Sequence, residues 1–79
     1  MHSTYALARA NGKEEAIIEA EKLNLENNQF YFTLLGELYK EIDHGKSKLN
    51  FQKALSLAKT KTDQQIIQTK IDNLNSYSH

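Results

Sequence analysis

The spacing Phe32-x2-Leu35-Gly36-x2-Tyr39, followed by Ser47-x3-Phe51-x2-Ala54, constrains this chain more than any other feature of it. Apolar residues recurring at three and four mark one face of a helix. Gly36, lying on that face, removes a side chain where a second helix can approach closely. Tyr39 and Phe51 are large enough to fill the space between two helices, and Ser47 and Ala54 are small enough not to push them apart. The pattern predicts an antiparallel helical hairpin, an architecture without chemistry of its own.

Around that hairpin the sequence reads as all-α with five helices. Ser3 and Thr4 can cap a short first helix, Tyr5 to Ala10, and Asn11-Gly12 reads as its stop because both residues tolerate a left-handed backbone. A second helix runs from about Lys13 to Leu23, with Glu14 and Glu15 at its positive end and Ala16, Ile17, Ala20 and Leu23 at the helical period. After a polar connection, Asn24 to Asn28, the third helix spans roughly Gln29 to Ile42. Tyr31, Leu34, Leu35, Leu38 and Ile42 share its broad face, with Phe30 and Thr33 leaning off it. Asp43-His44-Gly45 reads as a turn. The fourth helix, from about Lys46 to Lys59, has an inner stripe of Ser47, Phe51, Ala54, Leu55 and Ala58, with Leu49 and Leu57 free for a second contact. Thr62 and Gln65 have the capping-box spacing that starts a fifth helix, in which Ile66, Ile67, Ile71 and Leu74 are apolar and which frays from Asn75 to His79. The absence of proline suits uninterrupted helices.

Short connections favour antiparallel neighbours, so the expected object is two helical hairpins with a C-terminal helix covering the apolar end. The first hairpin reads as an abbreviated copy of the second, since Gly12-x3-Ala16-x3-Ala20 parallels Gly45, Ser47, Phe51 and Ala54. That makes residues 1–79 a single helical domain, either a capping unit or a piece of a longer protein.

A chain of 79 residues without cysteine has neither a disulfide nor a thiolate metal site to reinforce a thin core. Its stability must come from helix packing, from a homo-oligomer or from a larger parent. A cysteine-free chain with no apolar run near the roughly 20 residues of a membrane span, and no apolar signal region, points to a cytoplasmic protein away from membranes. Net charge is zero but unevenly spread: residues 1–45 carry 4 basic and 8 acidic side chains, a balance of −4, and residues 46–79 carry 6 basic and 2 acidic, a balance of +4. Such a split can steer head-to-tail contacts or draw an acidic partner to the rear half, although surface charge of this kind is most often only solvated.

No catalytic constellation is readable. His2, His44 and His79 are far apart, whereas a metal needs three or four convergent ligands, so no metal and no cofactor are expected. Glu14, Glu15, Glu19 and Glu21 lie on a polar helix face with Lys13 and Lys22, without the shelter that tunes a carboxyl for acid or base work. Gly12, Gly36 and Gly45 are isolated and make no phosphate loop. Phe30, Tyr31, Phe32 and Tyr39 with Lys40 could stack on bases, but their helical spacing favours packing, and the dispersed rear lysines make a weak phosphate footprint.

The hairpin resembles a tetratricopeptide repeat, with Phe32 for the usual Trp, Ser47 for a small Ala, and Lys59-Thr60 where Pro often ends the unit. Over residues 5–74 the segments Tyr5-Ala-Leu-Ala-Arg-Ala, Phe30 to Tyr39, Phe51 to Ala58 and Gln68 to Leu74 are similar to the C-terminal helical extension of bacterial extracytoplasmic-function RNA polymerase sigma factors. The resemblance implies a fragment or relative of a transcription initiation factor, with its promoter- and polymerase-binding regions upstream. It also implies that the first helix of the hairpin lines a concave surface, so that Phe30, Thr33, Glu37 and Lys40 would meet a partner.

The resulting expectation is a non-catalytic protein-interaction module, the regulatory C-terminal part of a sigma-factor-like protein. Its partner would be a protein, either RNA polymerase or the upstream part of its own parent chain. The alternative is a nucleic-acid-contacting domain that uses the basic C-terminal half.

Overall fold

The computed structural model describes residues 2–77, with side chains described over 12–75. Among the described residues the chain is all-α, as its periodicity requires, but with four helices rather than five: α1 His2–Leu23, α2 Gln29–Tyr39, α3 His44–Leu57 and α4 Lys61–Tyr77. They pack in chain order, α1 on α2, α2 on α3 and α3 on α4.

The expected break at Asn11-Gly12 does not occur. Both residues are helical within α1, and no glycine among the described residues has positive φ. A Cβ placed on Gly12 would meet nothing within 4 Å, so no neighbouring element forces a turn there. Strong helix formers on both sides, Arg9-Ala10 and Lys13 to Ala16, offset the roughly 1 kcal/mol that a helical glycine costs. The predicted first hairpin therefore falls, and with it the reading of Gly12-Ala16-Ala20 as a copy of the second. The left-handed residue is instead Asn24, at φ 49°, where α1 ends and the chain turns back.

Other boundaries shift for local reasons. Asn28 caps α2, its side chain accepting from the N–H groups of Phe30 and Tyr31. Asp43 caps α3 by accepting from the Lys46 N–H, which draws His44 and Gly45 into the first turn of the helix instead of leaving them as a loop. Thr60, not Thr62, starts α4: its hydroxyl accepts from the Asp63 N–H at 3.1 Å and its carbonyl from the Gln64 N–H at 3.0 Å.

The centre of the molecule is the α2–α3 crossing. Phe51, Ser47 and Ala54 on α3 are almost wholly inaccessible and face Phe32, Leu35 and Gly36 on α2. The Lys40 N–H donates to the Glu37 carbonyl, one residue short of where a continuing α-helix would send it. The Ser47 hydroxyl donates to the Gly36 carbonyl at 2.6 Å. A small polar residue at position 47 thus satisfies a buried backbone acceptor and admits close approach together. Ile67, Ile71 and Leu74 of α4 close one side of this core, while Ile17 and Ala20 of α1 are buried at the other end of the stack.

Several residues expected on inner faces are outside. Leu34 and Ile42 are about half exposed, and Phe32, two residues from Leu34, takes the inward place. Two residues are 200° of helix rotation, so a helix that turns Phe32 inward must turn Leu34 outward. Leu23, Leu49 and Ile66 are also exposed.

Candidate functional site

The outer face of α2 is built by the same rotation. With Phe32, Leu35 and Gly36 fixed against α3, residues 30, 34 and 37 come to the opposite side. Phe30 is 70% exposed and Leu34, one turn later, 46%. Leu38, a further turn on, is half-buried against the edge of the core. Charged side chains border this apolar line and are paired. Glu37 binds Lys70 of α4, and Glu41, just past the end of α2, binds Lys13 of α1 at 2.5 Å. The Lys13 ammonium, by its hydrogen bond and then by its charge, holds the Glu41 carboxyl below the ordinary carboxylate range.

Of the four residues the sequence points to, Phe30 alone is open. Thr33 is half-buried, and its hydroxyl donates to the Gln29 carbonyl at 2.8 Å. Glu37 is held in its ion pair, and Lys40 is half-buried at the C-terminal cap. They share one flank of α2, which Gln29 and Asp63 also tie to α4 through a 2.9 Å hydrogen bond. Leu34 is the residue that sequence reasoning misassigned. The signal for it was present: the helical wheel that places Phe32 and Gly36 together excludes Leu34 from the same contact.

On the inner side of α2 a cleft of about 640 Å³ opens between the end of α1 and α3. Its floor is Tyr31 and Phe32, packed edge to face with ring centres 5.0 Å apart, together with Leu35. Glu21 organises the α1 wall, its backbone carbonyl accepting from the Tyr31 hydroxyl at 3.4 Å and its carboxylate from the Tyr39 hydroxyl at 2.8 Å. Burial, and then the bond to Glu21 and its charge, push the Tyr39 phenol up to about 12.

The lysines of the rear half are less available than their number suggests. Lys46 lies over the Tyr39 ring at 5.5 Å and Lys53 over Phe32 at 5.3 Å, and Lys70 is bound to Glu37. Among the described residues no three His, Cys, Asp or Glu side chains converge as a metal site. His44 is exposed at the start of α3, and the side chains of His2 and His79 lie outside the described residues. No helix among the described residues is long and apolar enough to cross a membrane.

Comparison of the chain with protein-family models, with curated proteins and with solved structures found no match.

Proposed function

We propose that this chain is a non-catalytic protein-interaction module whose working surface is the outer face of α2. The observation that carries this reading is the exposure of Phe30 and Leu34 one turn apart on a helix whose other side is fully committed to the core. A folded domain gains nothing in stability from a phenyl ring left 70% in water, whereas a ring held rigidly on a helix is a good anchor for a partner. The paired charges beside it suit the rim of such a contact. The resemblance to sigma-factor extensions makes RNA polymerase, or the upstream part of a parent chain, the first partners to try, and that choice rests on the resemblance alone.

The alternative, a nucleic-acid contact through the basic half, is disfavoured because three of its six lysines are directed at rings or at Glu37. The test is a photo-crosslinking amino acid placed at position 30, with positions 59 and 61 as comparators, in cell extract and with purified RNA polymerase. A protein adduct from position 30 and none from 59 or 61 is expected. Submicromolar binding of an oligonucleotide, lost when Lys53, Lys59 and Lys61 are substituted, would overturn the reading.

A further inference from the structure

We propose that the cleft between the end of α1 and α3 binds an extended peptide segment in which a basic, an apolar and an acidic residue stand at alternate positions, the basic one toward α1 and the acidic one toward α3. The cleft lies on the opposite side of α2 from Phe30, Thr33, Glu37 and Lys40, so it is a second surface, independent of the outer face.

Charges of opposite sign line this cleft without pairing across it. Glu21 and Glu26 stand on α1 and the loop that follows it, and Lys53 stands on α3. Elsewhere in the molecule Lys13, Lys22 and Lys70 each bind a carboxylate. Here the Glu21 carboxylate accepts from the Tyr39 hydroxyl, and among the described residues no cation pairs with it or with Glu26. The Lys53 ammonium rests over the Phe32 ring at 5.3 Å, with no carboxylate of the described residues bound to it. The end of α1 adds to the negative side, because Glu21 lies in its last turn, where the helix dipole is negative, and Lys22 of that turn is drawn away to Glu19. A ligand cation is thereby favoured at one wall and a ligand carboxylate at the other, and complementary charges of this kind fix orientation and register more than they add affinity.

Between the walls, the floor of Tyr31, Phe32 and Leu35 takes an apolar side chain. Asn24 and Asn27 border it, and their side-chain amides form no hydrogen bond among the described residues. Each offers donors and an acceptor, which is what the backbone of an extended segment needs. Successive side chains of such a segment point to opposite faces, so residues at alternate positions point the same way and reach the two walls and the floor together. At about 640 Å³ the cleft falls within the roughly 300–1,000 Å³ that ligand sites occupy. Walls of opposite sign disfavour a uniformly charged partner, nucleic acid included.

The experiment is a fluorescence anisotropy titration of dye-labelled, end-capped peptides with the full chain from about 1 µM to 1 mM. Arg-Ser-Leu-Ser-Glu or its reverse, Glu-Ser-Leu-Ser-Arg, should saturate, the tighter of the two giving the direction of the bound chain. Glu-Ser-Leu-Ser-Glu, without the cation, and Arg-Ser-Ser-Ser-Glu, without the apolar residue, should bind at least about tenfold more weakly. Glu21→Gln combined with Glu26→Gln should weaken the tighter peptide at least about tenfold, since glutamine keeps an acceptor for the Tyr39 hydroxyl but gives up the charge. Lys53→Glu should make Arg-Ser-Leu-Ser-Arg the preferred peptide, a gain that a misfolded chain cannot show. Leu34→Ser, on the outer face of α2, should leave binding unchanged. No saturation by about 1 mM, equal binding of the peptides, no effect of the paired glutamines, loss of binding in Leu34→Ser, or competition by free leucine as strong as by the peptide would overturn the proposal. None of these results bears on the crosslink from position 30, which tests the outer face by itself.

Discussion

A Cβ atom built on Gly36 would lie 2.5 Å from two carbons of the Phe51 ring and 2.9 Å from a third. Phe51 is 1% exposed, so the ring cannot swing into solvent to make room. Gly36 is therefore required for closeness rather than for backbone freedom, and the α2–α3 spacing depends on it. Gly36→Leu should destabilise the fold by about 1–3 kcal/mol, the usual range for overpacking. A thermal melt that matches the parent within error would contradict the crossing.

Gly12 is the opposite case. It is helical, its φ is not positive, and nothing lies within 4 Å of the place a Cβ would take. Gly12→Ala should accordingly stabilise the chain by about 0.5–1 kcal/mol, chiefly by restricting the unfolded state. A loss of stability in urea titration would mean that Gly12 turns the chain in a left-handed conformation and that α1 is not continuous.

These two glycines mark what was legible in the sequence and what was not. Around Gly36 local and tertiary signals agree: Phe32, Leu35, Ser47, Phe51 and Ala54 all repeat one message, and their burial follows from it. Asn11-Gly12 was a local turn signal with no tertiary partner, and a turn signal alone does not outweigh good helix formers on both sides. The outer face was misjudged differently. Leu34 reads as core because it is apolar, but Phe32 and Gly36 fix the rotation of α2 and turn it outward, and Ile42 lies beyond Tyr39, where α2 has already ended. Hydrophobicity marks what a helix can bury, whereas rotation decides what it does bury. The pairing of Glu37 with Lys70 was not readable at all, because 33 residues separate them and only the docking of α4 brings them together.

Tyr39 gives a pH-dependent prediction. Its phenol, pushed up to about 12 by burial and by Glu21, holds its proton more tightly in the folded chain than at its ordinary value of 10.0. A raised pKa means that the folded state favours the protonated form. The stability tied to Tyr39 is therefore fully present below pH 10 and is lost as pH climbs through about 12. The urea midpoint should fall more steeply over that window in the parent than in Tyr39→Phe, which lacks the hydroxyl and its bond to Glu21. Parallel profiles would show that the Tyr39–Glu21 contact does not link α1 to α2 in solution. Glu41 has the opposite sign: its lowered carboxyl adds stability above the ordinary carboxylate range that disappears as pH falls.

Two aliphatic residues on α4 separate packing from mere hydrophobicity. Leu74 is 2% exposed in the cluster that α4 completes, and Ile66 on the same helix is 51% exposed. By composition they are interchangeable, and both belong to the apolar set that defines the helix in the sequence. Leu74→Ala removes buried methyl groups and leaves a cavity beneath α4, so it should cost about 2–5 kcal/mol. Ile66→Ala removes groups that water already reaches and should stay within about 0.5 kcal/mol of the parent. The contrast fixes the rotation of α4 on the hairpin, since a helix turned by 100° would bring Ile66 inward at the expense of Ile67. Urea denaturation of both variants decides it. Equal losses, or a larger loss at Ile66, would mean that α4 docks through a different face and that its ion pair from Lys70 to Glu37 does not form.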